Sequence, residues 1–327
     1  MKKNFFRTST YLGVIALVSA LSFALVLPGC SKKEATLASV RIGTMGDAVD
    51  YAPYMVAKSK GWFEDEFKKH GAQKVEYTSF QMLAALNEAL GTQRVDIVFE
   101  AEPPAIIGKT VAKDLKVVGI STTLQQEILV RSNSAINSVA ELRGKKVAVP
   151  AGTSSHYNVL KILGDAGLSD KDVDILDMNP EDGRVAFETG EVDGWAIWPP
   201  WVEQQVIAGK GRVLSGTNAQ IQSIMSIRGK FQEDHPEIAQ AAFDILERAK
   251  SFILEHPDEA QDLVAKSLKL DIAVIKLAWP KHDWKAQLNQ GVIADIQTKT
   301  DFLAKRGLIR STYDVSKELV SPMKLSQ

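Results

Sequence analysis

The chain has 327 residues, with 39 lysines and arginines against 40 aspartates and glutamates, a net charge of -1 and one cysteine. Cations scattered among acids along the whole length exclude a nucleic-acid surface, which needs a concentrated basic patch. A lone cysteine excludes internal disulfides, so the fold must rest on a sizeable apolar core.

Lys2, Lys3 and Arg7 precede an apolar stretch over 11–27, followed by Pro28, Gly29 and Cys30. That is the three-part layout of an export signal, and the apolar stretch is short for a membrane span. Cys30 stands where a lipobox places the residue that is acylated and becomes the new N-terminus. Pro28 departs from the small residue usual in that position, and the alternative is an apolar thiol in an uncleaved anchor helix. The expectation is a signal peptide over 1–29 and a polar tether over 30–39. The protein would then be exported and lipid-anchored through Cys30, facing the periplasm or the cell exterior.

Apolar runs of strand length follow at 40–43, 75–80, 95–99, 116–120, 128–131, 146–149 and 173–176. Segments with helical spacing, among them 52–69 and 82–90, alternate with them. Such alternation predicts an α/β fold with mainly parallel sheets. After Gln232 the pattern predicts helices alone, and Pro236 and Pro257 each open one, with an acid beside the proline.

One stretch echoes another. Residues 85–104 read as helix, Gly91, Val95-Asp96, an apolar strand and Pro103-Pro104; residues 185–200 read as helix, Gly190, Val192-Asp193, an apolar strand and Pro199-Pro200. Two similar α/β lobes would place their strand C-termini and helix N-termini around a shared cleft, where ligands of open α/β sheets bind.

The strand at 146–149 turns at Ala151-Gly152 into a helix that opens with Thr153, Ser154, Ser155 and His156. Gly152 permits close backbone approach, and the hydroxyls join the unpaired amides of a first helical turn, which suits an anion. An ordinary N-cap needs only one of those hydroxyls. His156 either donates to a ligand or satisfies its own backbone. Further on, strand alternation points Asp193 and Trp195 to one face, making Trp195 a candidate apolar wall beside a polar ligand group. Trp198 and Trp201 are expected to serve packing.

Catalysis is not expected. Ser154 or Ser155 beside His156 does not make a nucleophile pair, because neighbours in sequence do not face each other on a helix, and no Gly-x-Ser-x-Gly elbow surrounds them. His70, His156, His235, His256 and His282 are too far apart in sequence for metal-ligand spacing. Gly209-Lys210-Gly211 lacks the third glycine of a dinucleotide fingerprint, and no phosphate loop is present. Neither a metal nor a cofactor is expected.

Arg41-Ile-Gly-Thr44, Ala57-Lys-Ser-Lys-Gly-Trp-Phe63, Gln81-Met-Leu-Ala-Ala-Leu-Asn87, Leu142-Arg-Gly-Lys-Lys-Val-Ala-Val149, Gly152-Thr-Ser-Ser-His156 and Val192-Asp-Gly-Trp-Ala-Ile-Trp198 carry a resemblance. Through them the chain resembles the substrate-binding proteins of ABC importers for aliphatic sulfonates, taurine and nitrate, a family that includes binders of pyrimidine vitamin precursors. The aliphatic sulfonate branch is the most similar. The resemblance implies a type II periplasmic-binding fold in which the chain crosses twice between two lobes that close on a ligand by a hinge. Lobe 1 would hold 40–121 plus 225–327, and lobe 2 would hold 122–224. It also implies an oxyanion at Thr153, Ser154 and Ser155, a facing loop with Thr44 and Asp47, and a monomer serving a membrane permease and its ATPase.

The sequence departs from the sulfonate binders at Phe99-Glu100-Ala101-Glu102, where they carry small and hydroxyl residues ending in an acid, in the short turn at 78–80, and at Pro199, where Asp is common. Glu100 is therefore expected at the cleft, favouring a ligand with a cationic or N–H-bearing end, with Asp47 or Asp193 able to take that role; pairing with a cation or exposure to solvent is the alternative. The expected function is capture of a small organic anion or zwitterion such as an aliphatic sulfonate or taurine. The alternatives are a nitrogen-bearing heterocycle such as a pyrimidine precursor, or a receptor that presents its ligand to a signalling partner.

Overall fold

Ten strands join into one sheet among the described residues of the computed structural model, which are 37–217 and 219–326. Cys30 and the expected export signal lie outside them. The strands are β1 (Val40–Met45), β2 (Val75–Phe80), β3 (Ile97–Ala101), β4 (Leu115–Arg131), β5 (Lys146–Val149), β6 (Asp174–Asp177), β7 (Gly194–Ile197), β8 (Gly211–Val213), β9 (Ala219–Arg228) and β10 (His282–Asp283). Their order is β2-β1-β3-β9-β4-β7-β5-β6, with β8 and β10 also paired to β4.

The sequence echo is a topological one. β1 pairs in parallel with β2 and β3, as β5 does with β6 and β7. Helix Leu83–Gly91 makes the crossover from β2 to β3, and helix Pro180–Thr189 makes the one from β6 to β7. Even the acids before β3 and β7 match. Asp96 Oδ2 accepts the Arg41 N–H at 2.9 Å while Asp96 N–H donates to the Arg41 carbonyl at 2.9 Å. Asp193 Oδ2 accepts the Lys146 N–H at 3.0 Å while Asp193 N–H donates to the Lys146 carbonyl at 2.8 Å. Each carboxylate thus satisfies a backbone donor at the N-terminal end of a parallel pair, where the ladder would leave it unpaired.

β4 is one strand of 17 residues where the apolar pattern predicts two, because the polar residues 121–127 continue the strand. Leu124 pairs with both Ile221 and His282, and Leu129 with both Trp195 and Val213. One edge of β4 therefore carries β9 and β8, the other β10 and β7, so β4 together with β8 and β9 links one parallel set to the other. Pairing of β4 with β9 shifts register between Ile120 and Thr122, setting Ser121 in a bulge.

The segment 52–69 forms two helices, Ala52–Ser59 and Trp62–Lys69, because Gly61 at φ 70 breaks the spiral between them. Tyr54 and Phe63 from these helices pack on Phe99 of β3, with ring centroids 5.2 and 6.5 Å away. Burying one such ring contributes about 1.5–3 kcal/mol. After Gln232 the regular elements among the described residues are helices, apart from the two residues of β10. Helices Pro236–Glu255 and Pro257–Leu268 each begin at the expected proline. The first lies so close to β4 that a Cβ on Gly119 would come within 2.7 Å of Leu246 Cδ2.

Candidate ligand-binding site

β5 ends at Val149, and the chain turns through Pro150, Ala151 and Gly152 into helix Ser154–Asp165. Gly152 is favoured by its backbone angle and stands close to a leucine side chain that a larger residue would displace. Its φ is +73, and a Cβ there would meet Leu83 Cδ2 at 2.5 Å. Thr153 is the N-cap: its Oγ1 accepts the His156 N–H at 3.4 Å and donates to the Pro150 carbonyl at 2.7 Å. The amides of Ser154 and Ser155 come next, without intrahelical acceptors by position.

Gln126 of β4 faces this helix start. Its Nε2 donates to Ser154 Oγ at 2.8 Å, and its Oε1 accepts from Ser155 Oγ at 3.3 Å. Opposite them stand Met45 at the end of β1 and Ala48, Asp50 and Tyr51 just after it. With Trp198, Ala101 and Pro104 these residues, Gln126, Thr153 and Ser154 enclose a cavity of about 10 Å³, room for about one water. Direct contacts hold the enclosure shut: Val49 N–H donates to the Pro199 carbonyl at 3.3 Å, and Trp198 Nε1 donates to the Asp47 carbonyl at 3.4 Å.

The expected site residues separate into groups. Thr153 and Ser154 line the cavity. Ser155 is wholly buried behind them on Gln126. His156 caps its own backbone, its Nδ1 accepting the Gly152 N–H at 3.1 Å, and burial holds its imidazole below the usual pKa. Thr44 and Asp47 line a neighbouring groove of about 390 Å³ that shares Tyr51 with the cavity. There Asp47 accepts from Ser79 Oγ at 3.0 Å, and Lys58 Nζ lies 4.3 Å from the centre of the Tyr77 ring.

Three expected residues lie elsewhere. Glu100 is wholly buried within β3, accepting from Ser226 Oγ at 2.7 Å, because the strand runs on to Ala101 instead of ending before the acid. Burial pushes its pKa up to about 7. Asp193 holds the N-terminal end of β5, whereas the helix start follows the C-terminal end. Trp195 is wholly buried with Phe187 and Trp201, ring centroids 6.0 and 5.9 Å away, and Gly183 makes room for it; Trp198 is the tryptophan at the cavity.

Sequence reasoning missed Gln126 and Asp50. Asp50 is only 3% exposed, and burial pushes its pKa up to about 7 against hydrogen bonds from its own backbone amide and from Ser223, with a smaller upward push from Glu102. Glu102 itself is ion-paired to Lys299 and accepts the Gln222 N–H at 2.8 Å. The available signal for Asp50 was an acid inside the apolar run 48–52, just past a strand end. Gln126 had only its place in a polar run between two apolar ones.

A family model described as NMT1/THI5 like matches residues 48–260. A putative aliphatic sulfonates-binding protein of Bacillus subtilis (strain 168) is 34% identical over 93% of this chain and 92% of its own length. Among solved structures, the periplasmic aliphatic sulphonate binding protein SsuA from Escherichia coli superposes with a TM-score of 0.74 at 26% identity, covering 88% of this chain and 94% of that one. The alkanesulfonate-binding protein SsuA from Xanthomonas axonopodis pv. citri, bound to MOPS, gives a TM-score of 0.77 at 24% identity over 88% and 100% of the two chains and attests the shared fold. The α/β architecture is thus that of the periplasmic binding proteins, and the chain belongs to the NMT1/THI5-like family.

Proposed function

We propose that this protein is a binding protein, not an enzyme, and serves as the extracytoplasmic receptor of an ABC importer for small organic oxyanions, with aliphatic sulfonates and aminosulfonates such as taurine as its ligand class. The observation that carries the reading is the enclosure of Thr153, Ser154 and Gln126 against the Asp50 segment and Trp198. A sulfonate presents three oxygens on a tetrahedral head, and the Ser154 hydroxyl, the Gln126 amide and the first-turn amides are neutral donors suited to it. The relatives named for aliphatic sulfonates support the ligand class.

Capture is reversible closure. A cavity of about 10 Å³ cannot admit such a ligand until its walls part. The lobes are taken as 40–121 plus 225–327 and 122–224, so both crossings fall beside the Ser121 bulge, where Ile120 pairs with Ile224 and Thr122 with Ser223. A bulge on paired crossing strands is a place where rotation disturbs few ladder bonds. Cys30 carries the lipid, and a monomer delivers the ligand to a permease driven by its ATPase.

The test is a thermal-shift and calorimetric screen of the purified protein against alkanesulfonates, taurine, nitrate and pyrimidines. A ligand bound only by the folded state raises the melting temperature. Stabilisation by sulfonates supports the reading, and stabilisation by pyrimidines alone replaces it.

A further inference from the structure

One buried acid faces the cavity without a counter-charge. Asp50 lines the same enclosure as Ser154 and Gln126, and its Oδ1 is buried with no hydrogen-bond partner. Ser121 Oγ and Ser223 Oγ donate to the Asp50 carbonyl at 2.8 and 3.5 Å, and Ser223 also acts on the carboxyl, which leaves Oδ1 as the oxygen without a donor. Three other buried acids have cations. Asp96 pairs with Arg41 and Arg228, Glu102 with Lys299, and Glu203 with Lys281. Glu100 also keeps one oxygen unpartnered, but it does not line the cavity. A carboxylate taken out of water demands a compensating charge or donors, and at Asp50 the open side is the cavity.

We propose that Asp50 is a specificity-determining residue whose carboxylate receives the ammonium, or another N–H-bearing end, of a zwitterionic ligand while the oxyanion lies at Ser154 and Gln126. The inference rests on the oxyanion reading of the cavity and adds the second pole. It makes the preferred ligand a short aminosulfonate or a close isostere, with a simple alkanesulfonate the weaker one. An alkyl end would leave the carboxylate unpaired beside a second negative charge, so that ligand can bind well only when Asp50 takes up a proton.

The two ligand types therefore respond to pH in opposite directions. The titratable groups acting on Asp50 are Glu102, which Lys299 neutralises, and Tyr51, whose hydroxyl donates to the Met45 carbonyl at 3.0 Å; Asp47 and Glu100 act in turn on Tyr51. With Asp50 titrating at about 7, a ligand that needs the carboxylate gains affinity as pH rises through that value. One that needs the acid form loses it. Each change amounts to about tenfold between roughly pH 6 and pH 8.

The experiment titrates taurine and 1-propanesulfonate, which differ by an ammonium against a methyl, into the purified full chain and its Asp50→Asn variant across that range. The expected result is tighter binding of taurine by the parent, with affinity rising with pH for taurine and falling for propanesulfonate. In Asp50→Asn both trends and the preference vanish. Equal binding of the two by the parent, or trends that persist in Asp50→Asn and so belong to Glu100, overturns the assignment and leaves the sulfonate reading standing. Binding of neither overturns both. If Asp50→Asn does not fold, Glu100→Gln decides: opposed trends that survive in it support Asp50, and trends lost in it overturn the assignment.

Discussion

Gln126 holds Ser154 across the cavity wall, its Nε2 2.8 Å from the hydroxyl oxygen, while its Oε1 takes the Ser155 hydroxyl at 3.3 Å. One side chain of the long central strand thereby orients two hydroxyls of the helix start. Gln126→Ala leaves both hydroxyls without that partner in a buried setting, at a cost of about 1–3 kcal/mol in stability. Urea unfolding reads that loss, and calorimetry should show sulfonate affinity falling at least about tenfold. Stability and affinity both unchanged would remove Gln126 from the site.

Thr153 and Ser154 are neighbours with different tasks, and alanine substitutions separate them. Thr153→Ala removes an N-cap and lowers stability by about 0.5–2 kcal/mol. Ser154→Ala removes a cavity hydroxyl and weakens sulfonate binding by about 0.5–1.5 kcal/mol. Paired melting and titration measurements check this, and affinity lost only in Thr153→Ala would reverse the assignment.

Glu100 is a stability switch with a definite sign. Burial raises its folded pKa to about 7 from the ordinary 4.5, so the folded state holds a proton that the unfolded chain releases. Stability from this group is full below the unfolded value and declines as pH rises towards the folded one. Glu100→Gln removes that decline. The melting temperature of the variant minus that of the parent should grow between about pH 5 and pH 8, by an amount on the order of 3 kcal/mol in stability. A difference that stays constant or shrinks contradicts the burial argument.

Lys281 binds both Glu127 and Glu203, the latter at 2.7 Å and wholly buried. Lys281→Met strands the Glu203 carboxylate and should cost about 3–5 kcal/mol. Adding Glu203→Gln should restore much of it. A single variant as stable as the parent in urea would show that the pair contributes nothing.

The lipid anchor proposed at Cys30 has its own test. Cys30→Ala should abolish fatty-acid labelling of the exported protein, and labelling that persists would place the lipid elsewhere.

The parallel halves were legible because their strands are apolar runs between Gly and Pro signals, and because Val95-Asp96 and Val192-Asp193 repeat one local construction. The helix start was legible because Gly152 and three hydroxyl residues directly follow the apolar strand run 146–149 and precede a segment of helical spacing. β9 and the middle of β4 were not, since Gln126, Gln220, Gln222, Ser223 and Ser226 interrupt the apolar pattern while pairing as strand. The acids were misplaced for a related reason. Sequence shows that Glu100 follows apolar residues, but not that β3 continues through it, and it cannot show that Asp193 satisfies the Lys146 N–H. Alternation along 193–198 likewise separates Trp195 from Trp198 without saying which face is the core.

The most direct test of the oxyanion site is a crystal structure of the protein grown with taurine or 1-propanesulfonate. The sulfonate sulfur should lie within about 4 Å of Ser154 Oγ and the Gln126 amide, the spacing of a hydrogen-bonded sulfonate oxygen. A sulfonate seated instead in the groove between Lys58 and Tyr77, with Ser154 still bonded to Gln126 alone, would contradict the assignment.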